Sequence, residues 1–329
     1  MGDVIHLLPA LTDLKAALSE SEVDWMVDQS FAEIPAWHTG VEKVIPVATR
    51  RWRKLRWSVA VEFFKFIKHL RKQRYDVVID AQGLIKSAVL ARLARLSKNG
   101  YRAGFSTASL KERPAARFYH KKIAVARDAH AIPRLRLLLS QTLDYEFDAD
   151  KLMYGIGTWS KDNLKKQILF FHGTTWQSKH LPKSHWRALI KLAAQDGFEV
   201  LLAWGNENEH QRAVQLAAGH LNATVLPSSS LTQLKSLMAE ASGAIAVDTG
   251  LGHLAAALGV PTVSIYGATN AALTGAIGSN QVHLQTTYHC SPCLLKQCDK
   301  LETAINSPPC YAELSPKIIW AQLRSEITV

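Results

Sequence analysis

The sequence predicts an α/β protein whose parallel β-sheets are covered by helices on both faces. Strand-like runs alternate with helical patterns along most of the 329 residues. The strand-like runs are continuously apolar, which is typical of strands that are buried on both faces. Polar and glycine-rich clusters follow several of these runs, where strands of such sheets lead into helices. A chain of this length accommodates about two domains.

The alternation divides into two blocks. The expected strands lie at 23–27, 43–47, 76–83, 168–175, 198–205, 243–250 and 261–269. The clearest helices lie at 8–18, 85–96, 184–197 and 210–221. We therefore expect a first domain over 1–150, a linker over 151–165, a second domain over 166–310 and a last helix within 311–329. Ser315 and Pro316 are expected as the N-cap and first residue of that helix.

The first helical pattern has no strand in front of it. In a sheet built from alternating strands and helices, helix 11–18 should follow a strand. We therefore expect the first domain to lack its first, central strand. The loss of such a strand would leave backbone groups unpaired on both of its neighbours.

Composition and charge exclude several classes of protein. The chain is 47% hydrophobic and 20% charged, which excludes a disordered protein. It has no unbroken apolar run of about 18 residues, the length that a membrane-spanning helix requires, and we expect no signal peptide. The net charge of +11 is concentrated in residues 50–74, which carry ten basic residues and one acidic residue. Such a segment attracts phosphorylated substrates, anionic lipid or nucleic acid, unless it is only a solvated helix face.

The most informative segment is VDTGLGHLAAALGVPTVSIYG, residues 247–267. Asp248 closes a strand, and Thr249 and Gly250 turn the chain into a helix that carries His253 in its first turn. A helix N-terminus with glycines lets backbone N–H groups approach an anion, although an ordinary helix cap is the alternative. Polar residues also follow the neighbouring strands, at 172–182, 204–213 and 267–270. The pattern therefore favours a site for a polar, anionic ligand in the second block.

These motifs resemble the bacterial ADP-heptose:lipopolysaccharide heptosyltransferases. The likeness rests on MGDVIHLLPALTDLK, VIDAQGLIKSA, HGTTWQSKHLP, WGNENE and AVDTGLGHLAAALGVPTVSIYGATN, which keep their order along the chain. The segment FAEIPAWHTGVEKVIPVATRRWRK is similar to heptosyltransferase I in particular. The resemblance implies the GT-B fold, in which two Rossmann-like domains face a cleft. It also implies that the first domain binds the acceptor, the second binds the nucleotide sugar, and the last helix packs back toward the first.

The resemblance also implies roles for the residues at matching positions. Asp3 matches a proposed general base for the acceptor hydroxyl, and Lys179 matches a lysine that neutralises the departing diphosphate. Without the resemblance, these two would be an ordinary first-turn Asp and a solvated loop lysine. The implied nucleotide-sugar contacts are Thr174, Thr175, Lys179, Glu209 (ribose), Asp248 (sugar hydroxyls), Thr249, Gly250 and His253. The implied acceptor contacts are Arg50, Arg51, Arg53, Lys54, Lys111 and Arg113, because arginine pairs well with carboxylates and phosphates.

The implied reaction is inverting transfer of L-glycero-D-manno-heptose from ADP-heptose to 3-deoxy-manno-octulosonic acid (Kdo) of lipid A. No metal ion or other cofactor is expected, and nucleic acid is not an expected partner. The implied location is cytoplasmic, peripheral on the inner face of the inner membrane. Helix 57–74 would then either lie on the anionic leaflet through Phe63, Phe64 and Ile67 or pack this face on the sheet.

Three other functions stay open. The first is heptosyltransferase II, which acts on an already heptosylated acceptor. The second is a basic binding protein for a nucleotide sugar, an anionic lipid or RNA, without turnover. The third is a nucleotide-sugar epimerase on a similar fold, for which we place no additional acid/base residues.

The four cysteines are Cys290, Cys293, Cys298 and Cys310. So few do not make a disulfide scaffold, and a reducing compartment is expected. The C-x2-C pair is half of a zinc signature, but the second pair does not have the usual spacing. Free thiols, or a disulfide in the isolated protein, are therefore the favoured interpretations. The CSPC sequence also occurs in heptosyltransferase relatives and slightly favours the type II alternative.

Overall fold

The computed structural model describes residues 1–52, 57–162, 164–301 and 307–327. The chain divides into two compact units. The first unit is His6–Gly155, and the second is Ile156–Val329 together with Met1–Ile5. The division therefore falls inside the predicted linker, but the first five residues group with the second unit, whereas the sequence assigned them to the first domain.

The first unit contains five strands and six helices within the described ranges. Its strands are β1 (Asp24–Asp28), β2 (Lys43–Val47), β3 (Arg74–Asp80), β4 (Arg95–Phe105) and β5 (Lys121–Ile123). Its helices are α1 (Gly2–Ala17), α2 (Glu33–Ala36), α3 (Thr49–Trp52), α4 (Trp57–Leu70), α5 (Ile85–Leu93) and α6 (Ala131–Leu143). All pairings are parallel, as predicted, and they form two sheets, β1-β2 and β3-β4-β5.

Two differences from the sequence prediction concern the boundaries of helices. Helix α1 begins at Gly2 and continues through Pro9, whereas the pattern predicted a helix from residue 8. Asp3 therefore lies in the first turn of a helix, followed by buried apolar residues such as Ile5 and Leu8. Helix α5 ends at Leu93, and the chain continues at once as strand β4, which was not predicted.

Buried polar side chains join elements of the first unit. Arg136 pairs with Asp13 of α1 at 2.6 Å, with only 5% and 13% of the two side chains exposed. Asp80 ends β3 and accepts hydrogen bonds from the Gln82 and Gly83 amides and from the Tyr119 hydroxyl. Burial and the neighbouring Asp80 carboxylate raise the pKa of Tyr119 far above its usual range. These contacts hold the turn between β3 and α5.

The second unit is one six-stranded parallel sheet with helices. Its strands are β6 (Lys165–Phe171), β7 (Glu199–Leu202), β8 (Ala223–Val225), β9 (Ala241–Val247), β10 (Thr262–Tyr266) and β11 (Gln281–Gln285). Its helices are α7 (Lys183–Gln195), α8 (Glu207–Ala217), α9 (Leu231–Glu240), α10 (Gly250–Leu258), α11 (Ala271–Thr274) and α12 (Pro316–Ile327). The strand order is β11-β10-β9-β6-β7-β8, the doubly wound order of a Rossmann sheet. The order reverses between β6 and β9, where such sheets bind their ligands.

The core of the second unit lies between this sheet and its helices. The rings of Phe170 and Trp186 are 5.0 Å apart, and both side chains are fully buried. Helix α12 contacts α7, β9 and β10, and Trp320 donates a hydrogen bond to Asp196 at 2.7 Å. These contacts of α12 lie within the second unit, and the expected packing of the last helix toward the first domain stays a prediction. Pro316 is its first residue, as predicted, and Ser315 accepts a hydrogen bond from the Ile318 amide.

Of the described helices, none is both long enough and apolar enough to cross a membrane.

Candidate functional site

Two polar loops meet where the strand order of the second unit reverses. Strand β6 leads into the loop that carries Thr174, and the adjacent β9 leads directly into Asp248. The Thr174 hydroxyl donates a hydrogen bond to the Asp248 carbonyl at 3.2 Å. The structure therefore brings together two of the loops in which the sequence placed ligand contacts.

The centre of this site is an ion pair between Lys179 and Asp248. Lys179 lies in a short 3-10 turn, Gln177–Lys179, and its Nζ is 2.6 Å from Oδ2 of Asp248. Only 15% of the lysine side chain and 9% of the aspartate side chain are exposed. The Thr269 hydroxyl donates to the same carboxylate oxygen at 2.6 Å. One oxygen of Asp248 therefore accepts from an ammonium group and a hydroxyl at once.

The surroundings of Asp248 keep its carboxyl ionised. Burial raises the pKa of this group, but His253, Lys179 and Thr269 together hold it well below its usual range. His253 Nε2 lies 3.8 Å from Oδ1, which is too long for a hydrogen bond, so the Lys179 ammonium and the Thr269 hydroxyl are the direct contacts. Asp248 was predicted to hold sugar hydroxyls. Its pairing with Lys179 was not predicted, and the role with the sugar stays a prediction.

Lys179 has a second partner in its own loop. Its Nζ lies 4.4 Å from the centre of the Trp176 ring, within the range of a cation–π contact. Trp176 and Thr269 were missed as site residues, although both lie in the polar loops that the sequence singled out. Thr175, between Thr174 and Trp176, is exposed.

The start of α10 forms another side of the site. Thr249 is its extended N-cap residue, without a side-chain capping hydrogen bond. A Cβ atom on Gly250 would lie 2.5 Å from the Cβ of Met1, and a Cβ on Gly2 would lie 3.2 Å from His253 Cδ2. Both glycines are thus places of close approach. The first residues of the chain therefore lie against the start of α10, and Asp3, which follows them, is exposed.

Glu209 lies beside the same loop of β6. Its carboxylate accepts a hydrogen bond from the Gly205 amide at 2.8 Å, and its own amide donates to the Asn206 side chain at the N-cap of α8. A Cβ atom on Gly173 would lie 2.5 Å from the Glu209 carboxyl carbon. Glu209 therefore lies against the loop that follows β6, and its role at the ribose stays a prediction.

A buried histidine, His172, and the partly buried His180 and Arg212 lie near this loop. His172 directly follows β6 and is fully buried, with its ring 6.3 Å from that of Trp186. Burial, and then the charges of Arg212 and His180, lower the pKa of His172 to about 3. Burial and Arg212 lower the pKa of His180 to about 4. His172 is therefore a neutral ring beneath the site at ordinary pH.

The residues predicted to bind the acceptor all belong to the first unit. Arg50 lies in α3, and Arg51 is exposed and pairs with Glu62 of α4. Arg53 and Lys54 lie outside the described residues. Lys111 and Arg113 are exposed on either side of Glu112, which accepts a hydrogen bond from the Ile85 amide at the start of α5.

The aromatic residues of helix α4 differ in how far they are buried. Phe66 packs against the core cluster of Ile45, Leu70 and Ala94, and Phe63 packs on Trp52 with their rings 5.1 Å apart. In contrast, 69% of Phe64 is exposed. The face predicted from Phe63, Phe64 and Ile67 is therefore divided between internal packing and solvent.

The four cysteines are not joined in disulfides. Cys310 is buried, and the other three are partly exposed. Burial raises the pKa of the Cys310 thiol to about 12, with further contributions from the nearby Cys290, Cys298 and Cys293. Within the described ranges, no three His, Cys, Asp or Glu side chains stand as a ready set of metal ligands.

Comparison with protein families gives a match over residues 63–304 to the model described as glycosyltransferase family 9 (heptosyltransferase). The chain belongs to this family. Lipopolysaccharide heptosyltransferase 1 of Pseudomonas aeruginosa is 44% identical, over 99% of this chain and 95% of that protein. The enzyme of the same name from Escherichia coli K12 is 42% identical, over 86% of this chain and 89% of its own length.

Solved structures confirm the GT-B fold that the sequence predicted. The E. coli heptosyltransferase WaaC with ADP is 36% identical, covers 99% of this chain and 97% of its own, and superposes with a TM-score of 0.85. The structure of E. coli ADP-heptose lps heptosyltransferase II shares this fold, at 18% identity and a TM-score of 0.71. The likeness to type I enzymes in particular is therefore confirmed, and this chain is a glycosyltransferase.

Proposed function

We propose that this protein transfers L-glycero-D-manno-heptose from ADP-heptose to Kdo of lipid A, with inversion at the anomeric carbon. The observation that carries the proposal is the Lys179–Asp248 pair beside the N-terminus of α10, at the strand-order reversal of the second unit. Near-full-length identity of 44% to a lipopolysaccharide heptosyltransferase 1 supports the choice of donor and acceptor.

Lys179 and the start of α10 would bind the diphosphate of the donor. Negative charge grows on the diphosphate as the bond to the sugar breaks, and a fixed ammonium group stabilises that charge. Asp248 and Trp176 hold Lys179 in place before the donor arrives. The hydroxyls of Thr174, Thr175 and Thr249, the Gly250 amide and His253 supply further donors, while Glu209 would accept from the ribose hydroxyls.

Asp3 would act as the general base. Its carboxylate would take the proton from the Kdo hydroxyl as that oxygen attacks the anomeric carbon, and ADP would leave from the opposite face. A single in-line displacement of this kind inverts the configuration. An exposed carboxylate in the first turn of α1, two residues from Met1 at Gly250, is suited to reach an incoming hydroxyl.

The acceptor and the membrane would contact the first unit. Kdo and lipid A carry carboxylates and phosphates, which suit Arg50, Arg51, Arg53, Lys54, Lys111 and Arg113. The exposed Phe64 of α4, next to Lys65 and near Lys68, would insert at the surface of an anionic leaflet. The protein would thus work at the cytoplasmic face of the inner membrane, without a cofactor in the transfer step.

The test is turnover with ADP-heptose and either Kdo-lipid A or its heptosylated product as acceptor, with a chelator present or absent. We expect transfer to Kdo-lipid A, inverted configuration in the product and no loss of rate on brief chelation. Transfer only to the heptosylated acceptor would assign the type II activity instead. Retention of configuration, or no turnover with either acceptor, would overturn the proposal.

The matched variants are Lys179→Met and Lys183→Met. Lys183, the first residue of α7, is an exposed lysine that bonds to Gln215. Loss of Lys179 should lower kcat by about 10²–10³, the usual effect of removing one donor from a developing negative charge. Lys183→Met should leave kcat unchanged. Equal rates for the two variants would remove Lys179 from the reaction.

A further inference from the structure

The four cysteines form a cluster that the transfer reaction does not use. Cys290, Cys293, Cys298 and Cys310 all line one small pocket of the second unit, together with Ser178. The first three follow β11 in a C-x2-C-x4-C pattern, and the fourth belongs to the 3-10 turn Pro309–Glu313. Residues far apart along the chain thus present four thiols to the same small space.

This cluster is joined to the turn that carries Lys179. The Ser178 amide donates to the Lys296 carbonyl at 3.2 Å, and the Cys298 amide donates to the Gln177 side chain at 3.1 Å. On the other side, the hydroxyl of the fully buried Tyr311 donates to the Ser178 carbonyl at 3.1 Å. The Ser178 hydroxyl also donates to the Leu295 carbonyl, so the two cysteine-bearing segments hold the turn Gln177–Lys179 through four hydrogen bonds.

We propose that the four thiols bind one thiophilic transition-metal ion, zinc or iron, in a tetrahedral site that fixes this segment against the turn of Lys179. Four thiolates around one ion, with a C-x2-C pair among the ligands, are the usual composition of structural zinc sites and of cysteine-ligated iron. The ion would have a structural role, separate from the transfer step. The ion would affect catalysis only indirectly, by holding the backbone on either side of Lys179 in place.

The local structure explains why an ion is suited to this place. The described residues 286–301 contain no helix or strand, so the segment has few backbone hydrogen bonds of its own to keep it folded. A bound ion cross-links such loops without a large apolar core. On binding, each thiol gives its proton to solvent, and four thiolates with a divalent ion leave two negative charges. Lys296 and Lys300 lie in the same segment and can offset them.

The thiols do not yet stand at ligating positions. Binding therefore requires their side chains to rotate between staggered χ1 positions. If the four thiols cannot converge on one point, the protein will not retain an ion, so the metal content of the purified protein tests the proposal. The ligand set is also specific, since His289, next to Cys290, bonds to Lys300 and does not line the pocket.

The test is elemental analysis of the full chain, purified under reducing conditions and exposed in turn to Zn²⁺ and Fe²⁺ before desalting. We expect about one equivalent of bound zinc or iron. Substitution with Co²⁺ should give the thiolate charge-transfer and tetrahedral ligand-field absorption bands. Cys293→Ser and Cys298→Ser should each lower the affinity for the ion by about tenfold or more, whereas His289→Ala should not.

The outcomes that contradict the inference are equally direct. Four cysteine ligands should hold about one equivalent of metal. The inference would be overturned if the wild-type chain retained less than about a tenth of an equivalent of either metal. A Co²⁺ spectrum without thiolate bands, or disulfides between these cysteines in the reduced preparation, would also overturn it. The Co²⁺ spectrum of the wild-type chain does not depend on whether a variant folds. Metal binding is also read independently of turnover, so failure of the proposed transfer reaction would leave this inference standing.

Discussion

The buried pair of Lys179 and Asp248 allows a stability prediction with a calculated size. Lys179→Met removes the ammonium that lies 2.6 Å from Asp248 and leaves a carboxylate that is only 9% exposed. Removing one partner of a buried ion pair costs about 3–5 kcal/mol, because the other charge stays buried and unpaired. Thr269 still donates to this carboxylate, so we expect the lower end, a loss of about 3 kcal/mol in the free energy of unfolding.

Asp248→Asn should cost less than Lys179→Met. The lysine side chain is 15% exposed and can turn toward solvent, so we expect a loss of about 1–2 kcal/mol, mainly from weakened hydrogen bonds. The double variant leaves neither charge unpaired and should therefore be more stable than Lys179→Met alone. The coupling energy from the four proteins should therefore exceed the cost of Asp248→Asn, about 1–2 kcal/mol.

The measurement is urea unfolding followed by tryptophan fluorescence, with Lys183→Met as the control, which should stay within about 0.5 kcal/mol of wild type. The pH dependence adds an independent check. Because the folded pKa of Asp248 is lowered, its contribution is fully present above the unfolded value of about 3.9 and is lost gradually as the pH falls from there toward the much lower folded pKa. The difference between wild type and Asp248→Asn should thus be constant from pH 7 to 5 and shrink below about pH 4. Additive single variants, or a difference that is as large at pH 3 as at pH 7, would refute the reasoning.

Three further predictions concern other parts of the molecule. Asp3→Asn should lower kcat by about 10²–10⁴ and leave the calorimetric affinity for ADP-heptose unchanged, with the exposed Asp128→Asn as control; an unchanged kcat would exclude Asp3 as the base. The pKa of His172 is about 3 in the folded protein and about 6.5 in the unfolded chain, so the unfolded state binds more protons between these pH values. Burial of His172 should therefore lower the free energy of unfolding by about 1.4 kcal/mol per pH unit on acidification below pH 6. The free energy of unfolding, measured with urea at several pH values, should depend less steeply on pH for His172→Asn than for the surface variant His69→Gln. An equal dependence on pH in the two variants would contradict this prediction. Phe64→Ser should reduce cosedimentation with phosphatidylglycerol vesicles by about threefold or more, whereas Val214→Ser, at a position that is 48% exposed on α8, should not; equal binding would exclude α4 as the contact.

Most of the second unit could be predicted from the sequence because its strands are continuous apolar runs between polar loops. The predicted strand at 261–269 corresponds to β10, and that at 243–250 to β9, with ends that differ by a few residues. Short edge strands such as β8 carry too little pattern to be recognised.

Strand β4 shows why local pattern fails at a helix end. The segment up to residue 96 has good helix formers, and the sequence extended α5 through it. In the structure Arg102 of β4 is buried and donates hydrogen bonds to the carbonyls of Ala91 and Ala94, at 2.9 Å each. Ala91 lies in the last turn, whose carbonyls a helix ending at Leu93 leaves without partners, and Ala94 directly follows that helix. A contact within the folded unit therefore decides where the helix ends, and helix propensity does not.

The candidate site was predictable as a set of loops, but its pairings were not. The carboxyl ends of parallel strands lie at one edge of a sheet, so polar residues after β6, β9 and β10 had to share that edge. Which of them touch depends on the order of the strands. The chain crosses back after β8 and places β9 beside β6, so Asp248 lies next to the turn that carries Lys179. Strand β10 lies on the other side of β9, so Thr269 contacts the same carboxylate. This crossover leaves no local pattern in the sequence, so the ion pair at the centre of the site emerges only from the folded sheet.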